Sequence, residues 1–379
     1  MEPVGSTGVI VDLFCGCGGF SLGAELAGFR SLAAIDIDQT LQSGYRRNFP
    51  RTRAIQADVC DLDASDWRIL LDGQRPDGVI GGPPCQGFSA IGKRKIGDPR
   101  NSLVFEFVRQ VRILRPRFFI MENVGGILRP PNAALLAEAM SQLPETYTVL
   151  KPVILNASDF GAATTRSRVA VIGFDRADFP VLGAEDFAVA HRSAVTVRDA
   201  IFDLPCPIPQ AADKEDMGWA RYPVLATALS EYARAARSGP PAHLSSETAR
   251  ARYANTEVSG LFETRHSIGI SARYAALNAG KSDPITKSFK LGWDGQCPTL
   301  RAGTGAERGA FQAVRPLHPD QGRVITVREA ARLQGFPDWF QFHSTKWQSF
   351  RMIGNSVSPY VSFGLLNAIA DKLRTRIAA

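Results

Sequence analysis

Five short apolar runs rich in β-branched residues are spaced through the first third of the chain, each ended by a glycine-rich or acidic turn. They are Val9 to Phe14, Ser31 to Ile35, Arg53 to Gln56, Gly78 to Ile80 and Phe118 to Met121. Between them the spacing predicts helices over Ser21 to Ala27, Asp38 to Asn48 and Ser102 to Leu114, where Leu103, Phe107, Val108, Val111 and Leu114 recur at helical intervals. Such alternation requires βαβ units and a mostly parallel sheet covered on both faces. Polar and reactive residues then collect just past the strand C-termini, the edge where open α/β sheets bind ligands.

After Phe174 the alternation weakens and Pro and Gly punctuate more often, which reads as a second domain over 176–345, the first being 1–175 with 346–379. A helix is expected there from Val224 to Arg237, ended by Ser238-Gly239-Pro240-Pro241. With 45% hydrophobic and 21% charged residues the chain is of ordinary globular composition, not a disordered or fibrous one. No apolar run reaches the roughly 18 residues of a membrane span, and residues 1–11 lack a basic leader pattern, so a cytoplasmic protein without membrane contact is expected. The six cysteines are too sparse for a disulfide framework, and Cys15 and Cys17 are too close for a zinc pair; reduced thiols and no metal are expected. The net charge of +7 permits an anionic partner. Basic residues outnumber acids from Glu263 to Arg315, which suits phosphate contact and a solvated surface equally well.

Four segments carry chemistry. Asp12-Leu13-Phe14-Cys15-Gly16-Cys17-Gly18-Gly19-Phe20 follows a strand and opens a helix, with Asp36 ending the next strand, the arrangement of a nucleotide site. Ser21 stands where a dinucleotide fingerprint has its third glycine, which disfavours a pyrophosphate-bearing cofactor. Gly81-Gly82-Pro83-Pro84-Cys85-Gln86-Gly87-Phe88-Ser89 puts a thiol at a strand end behind two stiffening prolines. The basic, glycine-containing stretch from Ser89 to Asn101, with Lys93, Arg94, Lys95 and Arg100, has the composition of a lid. Glu122-Asn123-Val124 places a carboxylate at the end of the neighbouring strand, facing the same crevice. Arg166 and Arg168 alternate on an incipient strand and share one face, able to meet an anion or a carbonyl oxygen.

Together with Arg328-Glu329-Ala330-Ala331-Arg332-Leu333-Gln334-Gly335-Phe336-Pro337 and Gly354-Asn355-Ser356-Val357, these segments resemble, in order and spacing, the DNA cytosine-C5 methyltransferases of bacterial type. The resemblance implies an α/β, doubly wound, mostly parallel Rossmann-like sheet of the kind that binds S-adenosyl-L-methionine (AdoMet), with a second, smaller target recognition domain. It implies that Phe14 stacks on the adenine, Asp36 binds the ribose and Asp58 the adenine amino group. Gly16, Gly18 and Gly19, with Asn355 and Ser356, would lie near the methionine end, and Ile37, Val59, Pro84 and Leu103 would line the rest of the cofactor site. Cys85 is then the nucleophile, Glu122 the group on N3 and the 4-amino group, Arg168 the group on O2, and Arg166 its companion in the catalytic set. Gln86, Ser89, Lys93, Arg94, Arg100 and Arg301 become candidate contacts to double-stranded DNA. Two departures from the family are Ala163-Thr164-Thr165, where many relatives have Pro-Gln-Lys, and Ile37, where an aromatic is frequent.

Methylation of tRNA is a second reading, because related RNA enzymes share most of these motifs but lack a large target domain. A non-enzymatic AdoMet- or DNA-binding regulator would need a missing nucleophile or acid, and both are present. A monomer is the default for an enzyme acting on one flipped base. Three settings stay open: a restriction–modification pair with a cognate endonuclease encoded nearby, a phage, or an orphan regulator.

Overall fold

The computed structural model describes residues 7–84, 102–188, 193–224, 228–303 and 314–377. Its first half runs β1 (Gly8–Leu13), α1 (Gly19–Leu26), β2 (Phe29–Asp36), α2 (Gln39–Asn48), β3 (Arg53–Gln56), α3 (Ala64–Leu70), β4 (Gly78–Gly81), α4 (Ser102–Leu114), β5 (Phe118–Asn123), α5 (Asn132–Met140), β6 (Tyr147–Val149), β7 (Val153–Asn156), β8 (Thr164–Thr165) and β9 (Ser167–Asp175). The main sheet has the order β3-β2-β1-β4-β5-β9-β6, with β7 also on β9. Strands β1 to β5 are mutually parallel, whereas β9 runs antiparallel to β5, β6 and β7.

Consecutive residues of the central strands are buried on opposite faces, which is why these strands read as continuous apolar runs. Ile10, Ile80, Phe118 and Ile120 pack with Phe20 and Ala24 of α1. Their neighbours Val11, Val79, Phe119 and Met121 pack with Phe107 and Val111 of α4. From β1 the chain moves outward to β2 and β3, then returns to the other side of β1 with β4 and β5, so the topological switch point lies at the C-terminal ends of β1 and β4.

The second half adds α6 (Val197–Ile201), β10 (Ala220–Arg221), α7 (Glu231–Ala236), α8 (Glu247–Ala254), β11 (Glu257–Val258), α9 (Ile268–Ala276), β12 (Cys297–Pro298), α10 (Val327–Gln334), α11 (Lys346–Asn355) and α12 (Pro359–Ile377). The helix expected over 224–237 is shorter, beginning only at Glu231; residues 225–227 lie outside the described residues. Its start is set by Ser230, whose hydroxyl donates to Asp199 O at 2.6 Å and accepts from Ala233 N at 2.9 Å. One buried core joins Leu22, Leu41 and Tyr45 of the first half to Leu291, Leu333 and Phe340 of the second. Helix α12 returns to the sheet against α1: Ser362 Oγ donates to Phe20 O at 2.5 Å, and a Cβ on Gly23 would lie 2.4 Å from Phe363 N.

Arg328 and Arg332, one turn apart on α10, are fully buried. Arg332 meets Asp338 at 2.5 Å and Asp203 at 3.1 Å, and donates to Ala200 O at 2.8 Å. Arg328 donates to Ser259 O at 2.9 Å and Phe340 O at 2.8 Å. The two arginines of the segment Arg328 to Pro337 thus form an internal ionic joint.

Candidate active site

Parallel packing brings the ends of β1, β2, β4 and β5 to one edge, and the antiparallel β9 begins there. After β1 the backbone turns left-handed at Phe14 (φ 58°), Gly16 (φ 57°) and Gly18 (φ 96°). That conformation is rare for an aromatic residue, and such outliers cluster at functional sites. Phe14 is half-buried against the apolar face that holds Val59 and Phe107.

Asp36, at the end of β2, accepts from Gly16 N at 2.8 Å and from Asp38 N at 2.9 Å, so the acid braces the glycine loop. Burial raises its pKa above the usual carboxylate value. Asp38 caps α2 through Thr40 N and Leu41 N. Burial opposes its ionisation, but an ion pair with Arg351 of α11 and those amides hold it below the usual range. Asp58 accepts from Cys60 N at 2.9 Å. Ile37 is 65% exposed, Val59 is buried, Pro84 is exposed and Leu103 is half-buried.

The two thiols of the loop are not activated. Burial pushes Cys17 up to about 12 and raises Cys15 still more firmly out of the physiological range. Ser356 is turned inward, its hydroxyl 3.1 Å from Cys17 Sγ and donating to Met352 O at 2.8 Å, while Asn355 is exposed. A Cβ on Gly19 would lie 2.5 Å from Val357 O, so the loop and the 354–357 motif are packed backbone to backbone.

Beneath the loop, Tyr45 donates to Ser21 at 2.8 Å and Ser21 to Asp12 Oδ2 at 2.6 Å, while Asp12 Oδ1 is buried without a partner. Burial raises Asp12 from 3.8 to about 7. The folded chain therefore keeps a proton that the unfolded chain releases, and stability falls as pH rises between these two values, by about 4 kcal/mol in total. Asp12→Asn is expected to raise the unfolding temperature by more at pH 8 than at pH 5. An equal difference at both, in thermal scans of the protein without cofactor, would remove the ionisation argument.

At β4 and β5 the walls of the second half of the site meet. Asn123 Nδ2 donates to Pro83 O at 3.3 Å, tying the approach to Cys85 onto β5. A Cβ on Gly82 would stand 3.2 Å from Glu122 Oε2, so any larger residue there would press on that carboxylate. Glu122 pairs with Arg168 Nε at 2.8 Å, both side chains largely buried. Arg166 lies between β8 and β9, is 3% exposed, and donates to Leu300 O at 3.2 Å, close enough to Arg168 and Glu122 for both to act on its charge. Ala163-Thr164-Thr165, the departure noted in the sequence, makes the short parallel pairing of β8 with β12. Arg301 is exposed. Cys85, Gln86, Ser89, Lys93, Arg94 and Arg100, and the expected lid, lie outside the described residues.

Sequence reasoning passed over Arg351, the partner of Asp38. Its position one helical turn before Asn355 was the available signal, since such residues share a face.

A family model described as "C-5 cytosine-specific DNA methylase" matches residues 9–371. A type II methyltransferase, M.XorII of Xanthomonas oryzae pv. oryzae, is 38% identical over 99% of this chain and 86% of its own length. M.DdeI of Desulfomicrobium norvegicum, also a type II methyltransferase, is 32% identical over 95% of this chain and 88% of its own. Among solved structures, a prophage-encoded E. coli chain assigned as a DNA modification methyltransferase is 38% identical, with a TM-score of 0.85 over 97% of this chain and 99% of that one.

Proposed function

We propose, on the premise that the chain belongs to the C-5 cytosine-specific DNA methylase family, that it methylates C5 of a cytosine flipped out of a specific duplex sequence, using AdoMet and a Cys85 adduct. The observation that carries the reading is the meeting, at one sheet edge, of the braced loop Phe14–Asp36 and the Glu122–Arg168 pair.

The loop suits AdoMet on its chemistry. Residues 12–20 hold no Lys or Arg for a phosphate, whereas Asp36 and Asp58 can accept from ribose and adenine donors. A Cβ on Gly16 would meet nothing within 4 Å, leaving open space beside the loop. When bound, AdoMet supplies an electrophilic methyl group.

Cytosine C5 is a poor nucleophile. Addition of the Cys85 thiolate to C6 pushes an electron pair toward C5, and Glu122 hydrogen-bonds N3 and the amino group as charge builds on the ring, with Arg168 on O2. C5 then takes the methyl group. A base removes the C5 proton and the electron pair expels the thiolate, releasing 5-methylcytosine. Inside a duplex C6 is out of reach, so the base must leave the stack, at a cost of a few kcal/mol.

Purified protein is expected to move a labelled methyl group from AdoMet to duplex DNA, and bisulfite sequencing of DNA from expressing cells is expected to return one recurrent sequence. Label appearing only in tRNA would overturn the DNA reading. A monomer in solution and a cognate endonuclease encoded nearby accompany the proposal.

A further inference from the structure

Among the described residues, the buried guanidinium of Arg166 has a single acceptor, Leu300 O at 3.2 Å, and its Nε has no partner. No carboxylate pairs with it among the described residues, although Arg168 and Glu122 lie close enough to act on its charge. Burying a cation so poorly satisfied is costly, and such cost is tolerated where it serves function. The fold shows what it touches. Cys297 N donates to Ala163 O at 2.9 Å, Thr164 Oγ1 to Cys297 O at 2.9 Å, and Thr299 Oγ1 to Thr165 O at 3.0 Å. Arg166 adds the last stitch, immediately before β9 and two residues from Arg168.

The other side of the same segment is as tightly held. A Cβ on Gly354 would lie 2.3 Å from Ala302 N and 2.5 Å from the carbonyl carbon of Arg301, next to Asn355 at the end of α11. Arg315 donates to Arg301 O at 3.1 Å and lies over the Phe350 ring at 4.3 Å. Residues 297–302 are therefore clamped between the edge that carries Arg168 and Glu122 and the helix that carries the 354–357 motif.

We infer that residues 297–302 couple target recognition to the catalytic edge, and that Arg166 is a positioning residue which holds Leu300 in register with Arg168 and Glu122. The inference rests on the proposed function. DNA contact at the exposed Arg301 end would be transmitted through the Leu300 carbonyl to Arg166 and, two residues on, to Arg168. A correct site would thus be read as a correctly placed Glu122–Arg168 pair.

Arg166→Met removes the stitch along with a buried charge that no carboxylate pairs with among the described residues. The assay uses full-length protein and a duplex bearing the recurrent methylated sequence, against one with a single flanking base changed. Active enzyme is counted by covalent trapping on the same duplex with 5-fluorocytosine at the target. Per active site, Arg166→Met is expected to lower kcat on the correct duplex about 100-fold, the scale of a misplaced catalytic group. It is expected to lower the kcat/KM ratio between the two duplexes about tenfold, with the KM for AdoMet unchanged. Arg166→Lys, which keeps one donor for Leu300 O, should recover part of both losses. Gly354→Ala, which displaces 301–302 from the opposite side, should lower the ratio too. A merely structural role predicts fewer active sites with an unchanged ratio, and that result, or an unchanged ratio in Arg166→Met alone, overturns the assignment. Failure of the wild type to methylate DNA would instead overturn the proposed function.

Discussion

Cys85→Ala will reduce methyl transfer to duplex DNA by at least about 10⁴-fold, because no other group in the proposed cycle can make the bond to C6. The described thiols of the cofactor loop cannot substitute for it: Cys15 and Cys17 are buried with raised pKa values, and each is held within the loop packing. Cys85 follows Pro84, and Pro83 is tied by its carbonyl to Asn123, the neighbour of Glu122. In the sequence, Cys85 thus follows directly on a segment tied to β5 beside the Glu122–Arg168 pair. The measurement is methyl transfer together with covalent capture of duplex containing 5-fluorocytosine, in which fluorine cannot leave as a proton does. Wild-type protein should be captured in the presence of AdoMet and Cys85→Ala should not. Transfer at near wild-type rate by the variant would end the adduct mechanism, while AdoMet binding retained by the variant would separate loss of chemistry from loss of fold.

The sheet edge was legible in the sequence because parallel strands buried on both faces must be nearly all apolar, so their ends stand out as the first polar or glycine residues. Asp36, Gly82 and Glu122 stand out that way, Phe14 only through the resemblance, and the switch point puts them together. The hold on Arg166 was not legible, since alternation predicts a face but says nothing of the break between β8 and β9, and Leu300, which accepts from it, follows a β12 strand too short to leave a periodic trace. The shortened α7 was misread for a related reason: Ser230 reads as one more polar helix residue until Asp199, distant in sequence, takes its hydroxyl. Arg328 and Arg332 were legible only as a motif, because charge in a sequence suggests solvent and nothing local announces that Asp203 and Asp338 wait inside.

Arg332→Met is expected to destabilise the fold by about 3–5 kcal/mol, the cost of leaving a buried charge without its partner. At roughly 2 °C per kcal/mol for a chain of this length, the unfolding temperature should fall roughly 6–10 °C. Burial opposes ionisation of Asp338, yet Arg332 holds it below the usual carboxylate range; Tyr222 donates to it, and Arg328 approaches only to 3.9 Å. Asp203 keeps Arg237 at 2.7 Å and is less exposed to the loss. The damage should therefore concentrate on Asp338, and two consequences separate this account from simple loss of packing. Asp338→Asn added to Arg332→Met should restore part of the lost stability, since it removes the stranded charge. The single variant's deficit should also shrink at low pH. Without Arg332 the folded-state pKa of Asp338 would rise above its unfolded value, so the penalty would grow as pH rises through that interval and fade below it. Thermal scans at pH 5 and pH 8 test both. A deficit independent of pH and untouched by the second substitution would mean that Arg332 stabilises the joint by its bulk and its bond to Ala200 O, with its charge irrelevant.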